Sequence, residues 1–234
     1  MNAPRPAAPP VELTELRIAP SILSADFSRL GSQVQDVLDA GARVIHVDVM
    51  DGHFVPPITF GAVIVSALAD LVHDAGAIID VHMMVDRPER HVEDIAKAGA
   101  DGITIHVEAT PHLHYTLTAI REAGCTACAA ICPATPIETL ADIAGETLDM
   151  ALCMTVNPGW GAQSFIPHSL TRIERLRALL PTRVGLEVDG GISDQTAGAV
   201  TQAGANLLVA GSAVFGSDDP AGAYLDIVGT VGAR

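Results

Sequence analysis

Lysine is almost missing from this chain: Lys97 is the only one among 234 residues. It falls late in the helical stretch His91–Gly99, where a cation suits the C-terminal end of a helix dipole. Schiff-base chemistry needs a desolvated lysine at the reacting centre, so an imine mechanism is disfavoured. Basic charge is scarce altogether. Thirteen Lys and Arg stand against 28 Asp and Glu, a formal charge of −15, which argues against a reader of phosphate backbones. A small phosphorylated substrate stays compatible, because backbone N–H groups can hold phosphate without side-chain charge. No apolar run is long enough to span a membrane, so neither nucleic acid nor membrane is an expected partner. Met1–Pro10 has four prolines and no apolar stretch of the signal-peptide kind; residues 1–12 read as a disordered tail.

Cysteine is also sparse. Cys125, Cys128 and Cys132 fall as C-x2-C-x3-C, with Cys153 further on. That spacing invites a metal or cluster. Yet Thr126–Ile131 reads as a strand, where neighbours alternate faces, so Cys125 and Cys128 would diverge. Buried, inert thiols are the expectation. Nothing resembles a disulfide framework, which points to a reducing, cytoplasmic setting.

What the chain does have is alternation. Eight apolar runs read as strands: Arg17–Leu23, Arg43–Val49, Ala77–Met83, Gly102–Val107, Thr126–Ile131, Leu148–Val156, Arg183–Val188 and Asn206–Ala210. Between them lie segments with helical spacing, such as Leu30–Ala40, Ala62–Ala75 and Leu170–Leu180. Gly41, Gly76, Gly99, Gly124 and Gly204 sit where helices would end. Ala-Gly-Ala recurs before the second, third, fourth and eighth strands, a trace of a repeated unit. Eight βα units in succession favour an α/β fold closed as a (β/α)8 TIM barrel. No linker divides residues 13–234, so one domain is expected. Polar residues gather at the C-terminal ends of the strands, the end where such barrels build active sites.

Three strand ends carry the chemistry. His46 and Asp48 are two apart, so they share a face. His82 ends the third strand and Asp189 the seventh. Four ligand-type residues at inward positions are costly to bury without a shared partner. One divalent metal would satisfy all four, and Zn2+, Fe2+, Mn2+ or Co2+ suits two nitrogens and two carboxylates; a hydrogen-bonded polar cluster is the alternative. Asp48 and Asp189 come from distant strands and could flank a substrate carbon, one removing a proton and the other returning one. Gly190, Gly191, Gly211 and Ser212 end strands seven and eight, where barrels grip phosphate. Asn157–Phe165 is long for a βα loop and reads as a lid; Trp160 and Phe165 argue against idle exposure. Met50, Met84 and Met154 are either core filler or a collar round the reacting carbon. His106 and Glu108 either brace the ligands or form a satisfied polar rim. His73, His91 and His168 look superficial.

These residues together resemble the ribulose-phosphate 3-epimerase family. The likeness runs from Ile18 to about Phe215. It rests on Ile18-Ala-Pro-Ser-Ile-Leu-Ser-Ala-Asp-Phe27, His46-Val-Asp-Val-Met-Asp-Gly-His-Phe-Val-Pro56, Asp80-Val-His82, Pro133-Ala-Thr-Pro136, Met154-Thr-Val-Asn-Pro-Gly159, Glu187-Val-Asp-Gly-Gly191 and Ala210-Gly-Ser-Ala-Val-Phe215. The resemblance implies a homo-oligomeric isomerase that interconverts D-ribulose 5-phosphate and D-xylulose 5-phosphate, in the pentose phosphate pathway or in carbon fixation. It implies His46, Asp48, His82 and Asp189 as metal ligands and Asp48 and Asp189 as the acid–base pair at C3. Ser21 and His82 would contact substrate. Phosphate would lie against Gly161, Ala162, Gln163, Ser164, Gly190, Gly191, Gly211 and Ser212. Four positions depart from the family's usual pattern. Pro57 replaces asparagine, Cys132 replaces asparagine or lysine, Trp160 replaces phenylalanine and Ala162 replaces glycine. Ala162 keeps its N–H, so a phosphate grip survives there with a negative φ.

Overall fold

A computed structural model describes residues 14–233; the expected tail, residues 1–12, lies outside them. Eight strands form: β1 (Arg17–Pro20), β2 (Val44–Met50), β3 (Ile78–Met84), β4 (Gly102–His106), β5 (Thr126–Ile131), β6 (Met150–Met154), β7 (Gly185–Asp189) and β8 (Leu207–Ala210). All their pairings are parallel, in the order β1-β8-β7-β6-β5-β4-β3-β2. A parallel bridge between Ser21 and His46 draws the two end strands together. This is the TIM barrel that the strand–helix alternation predicts. Among the described residues no helix is long and apolar enough to cross a membrane.

The helices are α1 (Leu30–Asp39), α2 (Ala62–Asp74), α3 (Val92–Ala98), α4 (Leu113–Glu122), α5 (Ser169–Leu179), α6 (Ala197–Gln202), α7 (Ser212–Phe215) and α8 (Pro220–Val231). The five helix-ending glycines named above all have positive φ. One unit breaks the repeat. Between β5 and β6 the chain makes a single 3-10 turn, Ile137–Leu140. Pro133, Pro136 and Gly145 punctuate this stretch too closely for a longer helix. The first strand is also shorter than expected. It stops at Pro20, and Ser21 turns its hydroxyl back to accept from Leu23 N at 3.3 Å, capping the 3-10 turn Ile22–Ser24.

Strand faces divide the core in two. Ile45, Val47, Ile79, Val81, Ile103, Ile105, Leu186 and Val188 point outward and pack beneath the helices. Each fully buried side chain of this kind contributes about 1.5–3 kcal/mol. Inside the barrel, Val44, Cys128, Met150 and Leu207 fill the N-terminal half, and Val209 continues their cluster up to the cavity at the other mouth. On β2, β3, β4 and β7 the inward positions that follow are polar: His46, Asp48, Asp80, His82, Thr104, His106 and Glu187 are all buried, whereas Ala130, Leu152 and Met154 keep β5 and β6 apolar. Such a layer is expensive in an apolar setting unless its members answer one another.

The thiols behave as expected at three positions out of four. Cys125, Cys128 and Cys153 are buried, and Cys125 Sγ donates to Ala100 O at 3.2 Å. Cys132 differs. It lies one residue past the end of β5, free of the strand's alternation, and is only half-buried. Lys97 sits on the last turn of α3, exposed and paired with Glu93. His73 is not superficial: its Nε2 lies 2.9 Å from Asp101 Oδ2.

Candidate active site

The i, i+2 spacing on three strands builds two stacked layers. In the β2–β3 register His46 pairs with Asp80 and Asp48 with His82. Glu187 and Asp189 take the same two heights on β7. The upper layer is therefore Asp48, His82 and Asp189; the lower is His46, Asp80 and Glu187.

Asp48 is the hub. Its Oδ1 lies 3.3 Å from His46 Nε2 and 3.2 Å from His82 Nδ1. Its Oδ2 accepts from Ser21 Oγ at 2.5 Å. His82 Nδ1 is also 3.5 Å from Asp189 Oδ2, so one ring atom faces both aspartates. His46, Asp48, His82 and Asp189 each offer one atom within 4.8 Å of the others. The structure thus brings together all four residues expected to share an ion. His46 Nδ1 lies 2.7 Å from Asp80 Oδ2; a proton on that nitrogen leaves Nε2 as a lone pair facing the cluster. His46 Nε2 is buried without a hydrogen-bond partner. Donor atoms on a tetrahedral Zn2+ stand roughly 3.3 Å apart, close to the separations seen here. The cluster can hold a divalent ion.

Charge in the cluster points the same way. Burial works against protonating His46, but Asp48, Asp80 and Glu187 outweigh it and hold its pKa well above the ordinary value. Burial is likewise overridden at His82, where Asp189 and Asp48 raise the pKa to about 9. Burial opposes ionisation of Asp48, yet the two imidazoles keep its carboxyl well below the usual carboxylate range. The carboxylates therefore demand positive charge at this point, and a divalent ion would displace the ring protons. Burial and the nearby Asp80 push the Glu187 carboxyl well above the usual carboxylate range, while His46 pulls it back down.

His106 and Glu108 stand behind His82. His106 Nε2 lies 2.9 Å from His82 Nε2, and its Nδ1 lies 3.1 Å from Glu108 Oε2. Burial pushes His106 down to about 4, so the ring is neutral. Asp80 and Glu187 are the residues that sequence reasoning passed over, although each sits two positions before a candidate ligand. That spacing was the available signal.

Above the cluster lies a small, open cavity of about 50 Å³. Ser21, Asp48 and Asp189 reach it, with Met50, Met84 and Met154 around them. The three methionines are thus a collar as well as filler. The far wall is made by Gly161, Ala162, Gln163, Gly190, Gly191, Gly211 and Ser212. A Cβ on Gly190 would lie 2.4 Å from Val156, and one on Gly191 would lie 2.6 Å from the Phe165 backbone. Both have positive φ, so glycine is required twice over. His82 forms the floor beneath the aspartates rather than the wall. Ser164 is exposed and does not line the cavity, because the loop turns at Ala162 and carries it away. Ser24, one of the polar residues gathered at the strand ends, also lines it; a Cβ on Gly211 would meet its hydroxyl at 3.2 Å.

Two expectations about the Asn157–Phe165 loop need correction. Ala162 has φ +57°, left-handed rather than negative. Gln163 imposes this turn by donating from Nε2 to Asn157 O at 2.7 Å and Trp160 O at 2.8 Å. Trp160 is 55% exposed; side-chain hydrogen bonds, not burial of the indole, hold the loop.

Fold and site together define a TIM-barrel enzyme with an acid–imidazole cluster at the C-terminal mouth. Over residues 17–215 the sequence matches the Ribulose-phosphate 3 epimerase family, and the chain belongs to that family. It is 45% identical to "Ribulose-phosphate 3-epimerase" of Bacillus subtilis, over 92% of this chain and 99% of the relative. It is 51% identical to the protein of that name from Synechocystis sp., over 90% and 92%. Among solved structures, orotidine 5'-phosphate decarboxylase from Pyrococcus horikoshii superposes with a TM-score of 0.67 at 17% identity, covering 93% and 100%. That likeness shows the fold alone.

Proposed function

We propose that the chain epimerises D-ribulose 5-phosphate and D-xylulose 5-phosphate at C3, with Asp48 and Asp189 as paired acid and base and one divalent cation held by His46, Asp48, His82 and Asp189. The observation that carries this reading is the single ring atom, His82 Nδ1, lying 3.2 Å from Asp48 and 3.5 Å from Asp189. Two carboxylates from β2 and β7 converge on one point at the cavity floor.

In one direction Asp48, kept ionised by the imidazoles and oriented by Ser21, takes the C3 proton. Asp189 returns a proton to the opposite face of the planar 2,3-enediolate. The reverse reaction exchanges the roles, and split protonation of two carboxylates suffices for both. A bound cation supplies Lewis acidity toward the charge that develops on the C2 and C3 oxygens. Met50, Met84 and Met154 keep water from the reacting carbon. Backbone N–H groups at Gly161–Gln163, Gly190, Gly191, Gly211 and Ser212 receive the phosphate, with the Ser24 hydroxyl beside Gly211; Ala162 presents its N–H from the left-handed conformation that a glycine takes without strain, so the grip there does not need a negative φ. This arrangement fits a chain whose lone lysine lies elsewhere.

Chelation tests the reading. Epimerase activity is expected to vanish after metal removal and to return with Zn2+, Fe2+, Mn2+ or Co2+, each added alone. Full activity in the stripped protein would refute the cation. Solvent hydrogen is expected at C3 of recovered substrate. We also propose a homo-oligomer, since Phe27, Ile58 and Val63 leave more than half their surface exposed; light scattering decides this.

A further inference from the structure

Beside the Asp48–Asp189 cluster, and sharing no residue with it, lies a second group of ligand-type side chains. His106 ends β4, Glu108 follows it, and Cys132 follows β5. β4 and β5 are neighbours, with His106 opposite Ala130, so the residues just beyond both strands meet. His106 Nδ1 stands 3.1 Å from Glu108 Oε2 and 3.5 Å from Cys132 Sγ. One atom from each of the three lies within 4.8 Å of the others. Zinc bonds of about 2.0 Å to nitrogen or oxygen and about 2.3 Å to sulfur set tetrahedral donor separations of roughly 3.3–3.6 Å. The distances to His106 Nδ1 fall within a few tenths of an ångström of that range. Glu108 is also pre-aimed: its Oε1 accepts from Cys132 N at 2.8 Å and from the Thr135 hydroxyl, which leaves Oε2 for an ion. His106 is fully buried, whereas Glu108 and Cys132 reach solvent and open a path of entry.

We infer that His106, Glu108 and Cys132 form a second cation site, suited by its nitrogen, oxygen and sulfur donors to a soft divalent ion such as Zn2+, Co2+ or Cd2+. Burial and the Glu108 carboxylate hold the Cys132 proton up to about 12, so uptake releases that proton and tightens as pH rises.

The second site acts on the first. A neutral imidazole bound through Nδ1 keeps its proton on Nε2. His82 and His106 face each other Nε2 to Nε2 at 2.9 Å. If both rings bind through Nδ1, two N–H groups confront each other there. Filling the second site therefore weakens cation binding at His82, a step that rests on the proposed reading of His82 as a ligand.

Titration of the metal-free full-length protein with Co2+ tests this. The cluster of two histidines and two aspartates contains no sulfur, so a thiolate-to-cobalt charge-transfer band reports on the second site alone. In the wild type that band is expected to grow after the first equivalent, with epimerase activity falling in step. Cys132→Ser is expected to keep the d–d spectrum of the first equivalent, lose the thiolate band and hold its activity through excess Co2+. Glu108→Gln should weaken the band without abolishing it. No thiolate band at saturating Co2+, or a band that survives Cys132→Ser, overturns the site. Constant activity while the band grows overturns the coupling. A thiolate band with no separate first-equivalent spectrum would sink the catalytic reading and leave this one standing.

Discussion

The two mouths of the barrel use the same residue types for opposite ends. At the N-terminal mouth, polar side chains satisfy backbone. Asp101 Oδ2 accepts from Ile79 N at 2.8 Å, Asp149 Oδ2 from Ala127 N at 3.0 Å and Asn206 Oδ1 from Leu186 N at 2.7 Å. Each residue directly precedes a strand or lies one position from it, and each ties down the strand before. At the C-terminal mouth, side chains face one another. Charges crowd Asp48, and atoms of His46, Asp80 and Glu187 are buried without a hydrogen-bond partner. A carboxylate that closes a ladder contributes to stability; one held off any backbone partner is kept for chemistry.

The largest effect should come from the upper layer. Asp189→Asn removes a proton carrier and an ion ligand together, so kcat should fall on the order of 10²–10⁴-fold. Its folding stability should change little, since Asp189 is only half-buried. Steady-state turnover, together with C3 hydrogen exchange in D2O, checks this. Near-normal exchange would break the contrast between the mouths at once.

A smaller effect separates the two layers. Asp80 touches no part of the cavity wall above the cluster but lies 2.7 Å from His46 Nδ1. Groups that orient a metal-bound histidine typically contribute 10–100-fold in affinity. Asp80→Asn should weaken cation binding by about that factor, read by competition with a chromophoric chelator, while turnover at saturating metal recovers most of its value.

The lower mouth supplies the converse. Asp149→Ala strands the Ala127 N–H at the start of β5. An unsatisfied buried donor costs about 1–3 kcal/mol, which urea denaturation would register. The kcat should stay near wild type, because Asp149 lies at the opposite end of β6 from Met154. A large loss of turnover would mean that the ends of the barrel are coupled.

How much of this contrast the sequence showed depends on the kind of signal. Period-two alternation made the strands legible and placed His46 and Asp48 on one inward face. Strand order then followed from the barrel, which brought Asp189 to Asp48. Asp80 and Glu187 were hidden because a carboxylate two residues before a ligand has the same periodicity as the ligand; only depth in the barrel distinguishes them. Cys132 was misread because alternation ends with the strand at Ile131, and no periodic rule governs the next residue. The Ile137–Leu140 turn shows the same limit: the repeat led to a helix where local prolines prevail. The conformation of Ala162 was hidden for a different reason, since alanine by itself favours the right-handed region.

Ala162 therefore gives the finest test. Left-handed backbone costs an alanine about 1–2 kcal/mol, and Gln163 holds it there through two carbonyls. Glycine would relieve that strain but lose about 0.5–1 kcal/mol of its own to unfolded-state freedom. The two terms nearly offset, so Ala162→Gly should stabilise the protein by less than about 1 kcal/mol in urea. Because the Gln163 bonds remain, the loop keeps its turn and KM for the sugar phosphate should move by no more than about twofold. Gln163→Ala removes those bonds and leaves Ala162 free to return to negative φ. Its KM should rise more than that of Ala162→Gly, although it alters a residue whose side chain is engaged with its own loop. If instead Ala162→Gly raised KM and Gln163→Ala did not, the left-handed turn would owe nothing to Gln163, and strain in this loop would have to be maintained by the barrel wall behind it.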